Sequence, residues 1–336
     1  MPDTPRRSLI LGGLAAPLLA APAIAQGGSA AWAPTRTVRL VVPIAPGGAN
    51  DIIARLMAER LQPILGQTVV VENRPGAGGN IGAQSVIQAE KDGHTWLLTS
   101  ANVLTANTYL YGNRMPFVPL RDFAPVSRVG IGTLLWVVNA QRPWRTFQEQ
   151  IEFARRNPGR VTMGSSGTGT ISHLFFERVK RQTNSDMTHV PYRGGGPAIQ
   201  DLISGNIDMM FDVMPALLPH VREGRFRALA VGSAARVDYV PEIANVPSMG
   251  ELLPGSGIDA LNWWCVVAAT GTPDAAISTM HAAIARVLAM EDVRTRLLGL
   301  TIQPMPDATP AAFGEFWRSQ VPIWRELVEA SGAVAE

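Results

Sequence analysis

The sequence predicts an α/β protein of two strand–helix units, arranged as two lobes with a cleft between them. Three observations predict it. Strands and helices alternate along most of the chain, which implies parallel sheets with helices on their faces. Each unit opens on a strand that runs into a glycine- or serine-rich turn. A C-terminal strand and helical block follow the second unit and can return to the first, so that more than one segment crosses between lobes. Clefts between domains joined in this way are favoured ligand sites.

The first unit opens with residues 38–55, VRLVVPIAPGGANDIIAR. Val38, Leu40, Val41 and Val42 form a β-rich apolar strand that Pro43 stops. Pro46, Gly47 and Gly48 let backbone come close to a ligand, because glycine carries no Cβ. Asn50 or Asp51 can cap the next helix, whose apolar face holds Ile52, Ile53, Leu56 and Met57. Bare amides at a helix N-terminus suit a carboxylate or a phosphate; a tight turn with no ligand is the plain alternative. A strand at 68–72, a glycine-rich turn at 73–79, a helix at 80–89 and a strand at 95–99 complete the unit.

A further apolar strand at 134–139 precedes a helix at 147–156, ended by Asn157, Pro158 and Gly159. The second unit begins with a strand at 161–164, and its turn at 165–170 (SSGTGT) leads into a helix near 171–182. A strand at 188–190, a turn at 193–197 (RGGGP), a helix at 198–204, a strand at 207–213, a helix at 216–222 and a strand at 227–231 follow. Residues 239–257 are irregular, with prolines and glycines too closely spaced for long elements. The rest reads as a strand at 261–269, a helix at 273–290 with Thr272 as N-cap and Pro273 at N1, helical 292–298 and a last helix at 310–330. The lobes are then 36–136 plus 258–336, and 137–257, with crossings near 134–139 and 257–269.

Residues 1–25 read as an export signal cut after Ala25. Arg6 and Arg7 precede an apolar stretch over 9–21, and Ala23, Ile24 and Ala25 give a small-residue cleavage pattern. The paired arginines suggest the twin-arginine route, with an ordinary secretory signal as the alternative. The apolar stretch is shorter than the ~20 residues a membrane span requires, so a soluble protein in the periplasm is expected. The chain carries 29 Lys and Arg against 27 Asp and Glu, a near balance that argues against nucleic acid or an acidic membrane surface as the main partner. Cys265, the sole cysteine, permits no intramolecular disulfide or thiolate cluster and reads as a buried small hydrophobe.

The turns miss the strict nucleotide and hydrolase patterns. Gly76-Ala77-Gly78 would need a glycine at Ile81 to complete G-x-G-x-x-G, and Lys91 and Lys180 follow no phosphate-binding loop. Counted from Gly164, the last position of G-x-S-x-G is Thr168. His94, His173, His189, His220 and His281 show no metal spacing, and no metal or cofactor is expected. Ser165, Ser166, Thr168 and Thr170 precede a helix, so hydroxyls and backbone N–H groups can converge on an anion held by neutral donors. Simple capping by one hydroxyl is the alternative. His173, on that helix's first turn, faces either ligand or solvent, and Asp212 ends a strand at the edge where a parallel sheet offers its crevice, or caps a turn. Arg193 beside glycines can reach an anion, though an exposed loop arginine is the commoner case.

Together these motifs resemble the Bug (TctC-like) extracytoplasmic solute-binding proteins of tripartite tricarboxylate transporters. The resemblance rests on PIAPGGANDIIAR (43–55), VENRPGAGGNIG (71–82), NPGRVTMGSSGTGTISHL (157–174), HVPYRGGGPAIQDLISGNIDMMFD (189–212) and RALAV (227–231). ANVPSMGE (244–251) and GTPDAAI (271–277) extend it over essentially the whole chain after the leader. It implies a type II periplasmic binding-protein fold, whose two hinged α/β lobes close on a small organic anion. In that family a ligand carboxylate is gripped, partly through ordered water, between the first strand–helix loop and its counterpart in the second lobe. Carried onto this sequence, one side is Ile44, Ala45, Pro46, Gly47, Gly48, Asn50 and Asp51, and the other is Ser165, Ser166, Gly167, Thr168 and Thr170. His173 and Asp212 match positions near the cleft. Ile44 departs from the family, which commonly has an aromatic there; this changes the pocket wall and weakens any transfer of the ligand's identity.

The expected function is therefore non-catalytic: a monomeric binding protein that captures a small organic carboxylate and hands it to the membrane subunits of a tripartite tricarboxylate transporter. Two rivals stand beside it. One is a ligand-loaded sensor that docks a membrane kinase; the other is a serine hydrolase built on Ser165 or Ser166 with His173. The eight tryptophans are pocket walls or, more commonly, core.

Overall fold

Alternation along the first strand sets the layers of the first sheet. In the computed structural model, which describes residues 32–192 and 194–334, β1 (Val38–Val42) lies between β2 (Val69–Asn73) and β3 (Thr95–Ser100), parallel to both. Leu40 and Val42 pack with the helix Ala49–Leu65, while Val41 and Leu97 face the helix Asn80–Ile87, as side chains on opposite faces of a strand must. Ile53, Leu56 and Met57 are buried as expected, but Ile52 is 41% exposed. The export signal and Arg193 lie outside the described residues.

The next strand is the departure from expectation. β4 (Phe123–Asn139) begins at Phe123 instead of residue 134 and is shared by two sheets. The second sheet contains β5 (Thr162–Ser165), β6 (Thr188–Pro191), β7 (Met209–Val213) and β8 (Phe226–Val231). β9 (Leu261–Ala269) returns to the first sheet, between β3 and β4. From Phe123 to Thr133, β4 pairs with β9; from Leu134 onward it pairs with β7 and β8. The two orders match: β2-β1-β3-β9 in one sheet and β6-β5-β7-β4 in the other, each with its first strand between its second and third.

Both sheets are mixed, not parallel throughout. β3 with β9, β9 with β4, and β4 with β7 and β8 all run antiparallel, because crossing and returning strands enter from the opposite end. Where β4 changes sheet, the Thr133 hydroxyl donates to Ala260 O at 3.1 Å. Gly232 N donates to Leu134 O, and Ala260 N to Gly232 O, each at 2.8 Å. The helix Pro310–Ser331, capped by Thr309, braces this frame: Trp317 Nε1 reaches Leu104 O at 3.1 Å, and Ala330 O accepts from Arg181.

Some local expectations fail for identifiable reasons. The first helix is capped by Gly48, and neither Asn50 nor Asp51 caps it, because tertiary partners take both side chains. Gly195, Gly196 and Pro197 belong to the helix Gly195–Ser204 and not to the turn; Pro needs no amide partner in a first turn. Pro273 is the N-cap of Asp274–Leu288, while the Thr272 hydroxyl donates to Ala269 O. Cys265 is buried, and burial raises its thiol well above the ordinary range. Six tryptophans, including Trp263 and Trp264, are among the largest fully buried side chains. No helix of the described residues is long and apolar enough to cross a membrane.

One ion pair fastens β4 to the chain before the last helix. Arg128 Nη2 lies 2.6 Å from Asp307 Oδ1, the Arg128 amide donates to Asp307 Oδ2 at 2.8 Å, and the guanidinium sits 3.9 Å over Phe316. The two side chains are only 16% and 2% exposed. Asp307→Ala leaves a largely buried guanidinium unpaired and is expected to cost about 3 kcal/mol of stability in urea unfolding. A loss under about 1 kcal/mol would show that the pair carries little.

Candidate functional site

The first loop is held by a carboxylate. Asp51 Oδ2 accepts from Gly47 N at 2.9 Å and Arg55 Nε at 3.0 Å, and Oδ1 accepts from Asn73 Nδ2 at 2.9 Å. Asn73 Nδ2 also donates to Ile44 O at 3.1 Å, which ties both ends of the turn to one point. Burial alone would raise the Asp51 carboxyl, but Arg55, the Gly47 amide and Asn73 hold it below its usual value. Asn50 is buried too: its Oδ1 accepts from Trp264 Nε1 at 2.8 Å, and its Nδ2 donates to Ser100 Oγ at 3.4 Å. Ser100 Oγ donates to Asn102 Oδ1 at 2.9 Å. Asp51 and Asn50 therefore shape the turn, while Ala45, Pro46 and Gly47 stand exposed and Ile44 and Gly48 are half-buried.

The second loop is tied from beneath. β5 ends at Ser165, whose buried Oγ lies 2.6 Å from His189 Nε2 and accepts from Gly167 N at 3.2 Å. His173 is neither solvent-facing nor aimed outward. Its ring stacks on His189 at 3.9 Å and 8°, and its Nδ1 accepts from Gly169 N at 3.0 Å. Thr170 caps the helix Ile171–Thr183 through the His173 amide, and its hydroxyl donates to Gly167 O at 2.8 Å. The Gly167, Gly169 and Thr170 amides are thus used internally, Thr170 N donating to Gly167 O at 3.3 Å, while the Thr168 amide has no partner among the described residues. Ser165 pairs with His189 instead of His173; Ser165 is fully buried and His189 half-buried.

The electrostatics of this loop are neutral by design of burial. Burial, then the Lys180 ammonium, lowers His173 to about 4. Burial, then His173 and Lys180, lowers His189 to about 3. Asp212 is fully enclosed; burial pushes its carboxyl up, and the Val213 amide, Ser166 and Ser172 offset this only in part. Its Oδ1 accepts from Val213 N at 2.7 Å, and its Oδ2 has no well-aligned partner.

A cavity of about 350 Å³ opens above this loop. Gly167, Thr168, Gly169, Thr170, Pro191 and Tyr192 line one side. Gly78, Asn102, Asn107, Leu110 and Tyr111 line the other, and none of these side chains carries a charge at neutral pH. The two sides touch where Gly169, at φ +75°, faces Leu110: an added Cβ would lie 2.6 Å from Leu110 Cδ1. Of the residues expected from sequence, Gly167, Thr168 and Thr170 line the cavity. Ser165, Ser166, His173 and Asp212 lie behind it, and the first loop reaches it only through Asn50, Ser100 and Asn102.

The missed residues sit mainly on two short helices, Ala101–Leu104 and Ala106–Tyr111, which break at Thr105. Too short for an apolar period, they still left a signal: they follow the carboxyl end of β3, where parallel sheets bind ligands, and Asn107 and Tyr111 share a face at i,i+4. Tyr192, whose hydroxyl donates to Asp201 Oδ2 at 2.7 Å, lay within a quoted motif without being singled out.

Comparison with known proteins gives consistent matches. A family model described as "Tripartite tricarboxylate transporter family receptor" (TctC) matches residues 53–332. Protein BugT of Bordetella pertussis is 34% identical over 315 residues, covering 94% of this chain and 95% of that protein. Among solved structures, R. palustris Rpa4515 with adipate is 30% identical with a TM-score of 0.82, covering 90% of this chain and 99% of its own. MatC from Rhodopseudomonas palustris with bound malate is 30% identical with a TM-score of 0.78, covering 88% and 99%.

The stacked histidines predict a pH dependence. The unfolded imidazoles take up protons below about 6.5, while the folded His173 resists until about 4, so its burial weighs nothing above the first value. Stability is lost as pH falls from about 6.5 toward about 4. His173→Asn is expected to flatten that slope relative to the unaltered protein in urea unfolding between about pH 7 and about pH 5. Parallel slopes for the two proteins would contradict it.

Proposed function

The chain belongs to the TctC family of tripartite tricarboxylate transporter receptors, and on that premise we propose that it captures a small organic carboxylate and passes it to the membrane subunits of such a transporter. The family and the structural neighbours are substrate-binding proteins, not enzymes. The observation that carries the reading is the uncharged polar cavity, with the free Thr168 amide beside the start of the helix Ile171–Thr183. Partial positive charge at a helix start favours an anion without a buried cation, and release is then easier than from an arginine pair.

The lobes in this reading are those expected at 36–136 plus 258–336 and at 137–257, with the first boundary moved to Thr133 and Leu134, where β4 changes sheet. Closure brings Thr168 toward Asn102 and Tyr111. Asp51 and Asn50 hold the first loop in shape, so that Ala45–Gly48 backbone can meet the same ligand, directly or through water. The protein acts as a monomer in the periplasm after cleavage at Ala25. Relatives solved with adipate and with malate support a small carboxylate as the ligand class.

The test is a thermal-shift series on protein beginning at Gln26, stripped by unfolding and refolding, against a carboxylate panel that includes adipate and malate. A ligand at one hundred times its Kd is expected to add about 2.7 kcal/mol of stability. A flat panel for every carboxylate would contradict the proposal.

A further inference from the structure

Resting on the carboxylate reading above, we propose that the Tyr111 hydroxyl selects the ligand's far end, favouring acids with a second polar group there over acids ending in a methyl. The cavity's polar groups are already divided between internal bonds and free positions. Asn107 Nδ2 donates to Gly78 O at 3.0 Å and to Asn80 Oδ1 at 2.7 Å, so its donors are committed. The Tyr192 hydroxyl is committed to Asp201. Asn102 Oδ1 accepts from Ser100 Oγ, while Asn102 Nδ2 and the Thr168 hydroxyl have no partner among the described residues. The Tyr111 hydroxyl likewise lines the cavity with no hydrogen-bond partner among the described residues.

Its seat is specific. Gly78 has φ +63°, and a Cβ built there would lie 2.9 Å from the Tyr111 hydroxyl and 3.4 Å from Asn107 Nδ2. The bare glycine therefore makes room for the phenol, and Asn107, one turn before Tyr111, fixes the Gly78 carbonyl beside it. Burial raises the phenol above its ordinary value, which keeps it protonated and able to donate. Thr168 lies on the opposite side of the cavity, so a carboxylate held there directs the rest of the ligand toward Tyr111. A far end that accepts a hydrogen bond satisfies the hydroxyl. A methyl end strips water from it and gives nothing back, which is the costly case for a buried polar group.

Calorimetry on matched acids tests this, with adipate, 6-hydroxyhexanoate and hexanoate as one series and succinate, 4-hydroxybutanoate and butanoate as another. In at least one series the two polar-ended acids are expected to bind about tenfold or more tighter than the methyl-ended one. Tyr111→Phe is expected to erase that preference while the methyl-ended acid keeps its affinity within about twofold. Gly78→Ala, which displaces the hydroxyl without removing it, is expected to reduce the preference in the same direction. Thermal melts of both variants show that each is folded. Equal loss for all acids in Tyr111→Phe, or no preference in the unaltered protein, overturns the selection by Tyr111 and leaves the carboxylate reading standing. No binding by any acid to the unaltered protein overturns both.

Discussion

The constraint on which the rest of the structure depends is that one strand, β4, belongs to two sheets. Thr133 pairs with Leu261 and the next residue, Leu134, with Val213, so β4 passes from one sheet to the other across a single peptide bond. The matching strand orders then follow, because each sheet builds outward from its own part of β4 or from β9 beside it. The carboxyl ends of β1 and β3 and of β5 and β7 both open toward one region, where the cavity lies. The core follows the same logic: one apolar cluster runs from Val41 and Leu97 through Trp263 to Trp136 and Phe211, with Phe313 and Trp317 of the last helix packed against it.

The candidate site built on this frame is lined by uncharged side chains. The second loop uses its own Gly167 and Gly169 amides to hold its shape, on a pair of neutral stacked imidazoles. The Thr168 amide, beside a helix start and without a partner among the described residues, is the donor proposed for the anion. Asp51 does the complementary work on the first loop, where its charge is answered by Arg55 and is not presented to the cavity. Both loops are held by their own hydrogen bonds, which lowers the ordering cost of binding.

Much of this was legible in the sequence, for physical reasons that can be named. The run from Val38 to Met57 shows its strand, turn and helix because apolar period and glycine punctuation agree there. In sequence Asp51 reads only as a cap and loop residue; its role is set by Arg55 at i,i+4 and by Asn73, which comes from the end of β2. The first half of β4 was hidden because Pro125, Gly130 and Gly132 interrupt its alternation, and its register shifts at two points against β9. His189 carried no local signal, since its roles come from Ser165 and His173 on other elements. The far wall of the cavity was hidden for a different reason: helices as short as Ala106–Tyr111 have no period to read.

The measurement that tests the central claim most directly is a crystal structure of the stripped and refolded protein with its best-binding carboxylate. The account predicts the ligand in the cavity between Thr168 and Tyr111, one carboxylate oxygen accepting from the Thr168 amide, and the His173–His189 stack unchanged beneath it. A carboxylate bound away from Thr168, or gripped by a cationic side chain brought into the cavity, would contradict it.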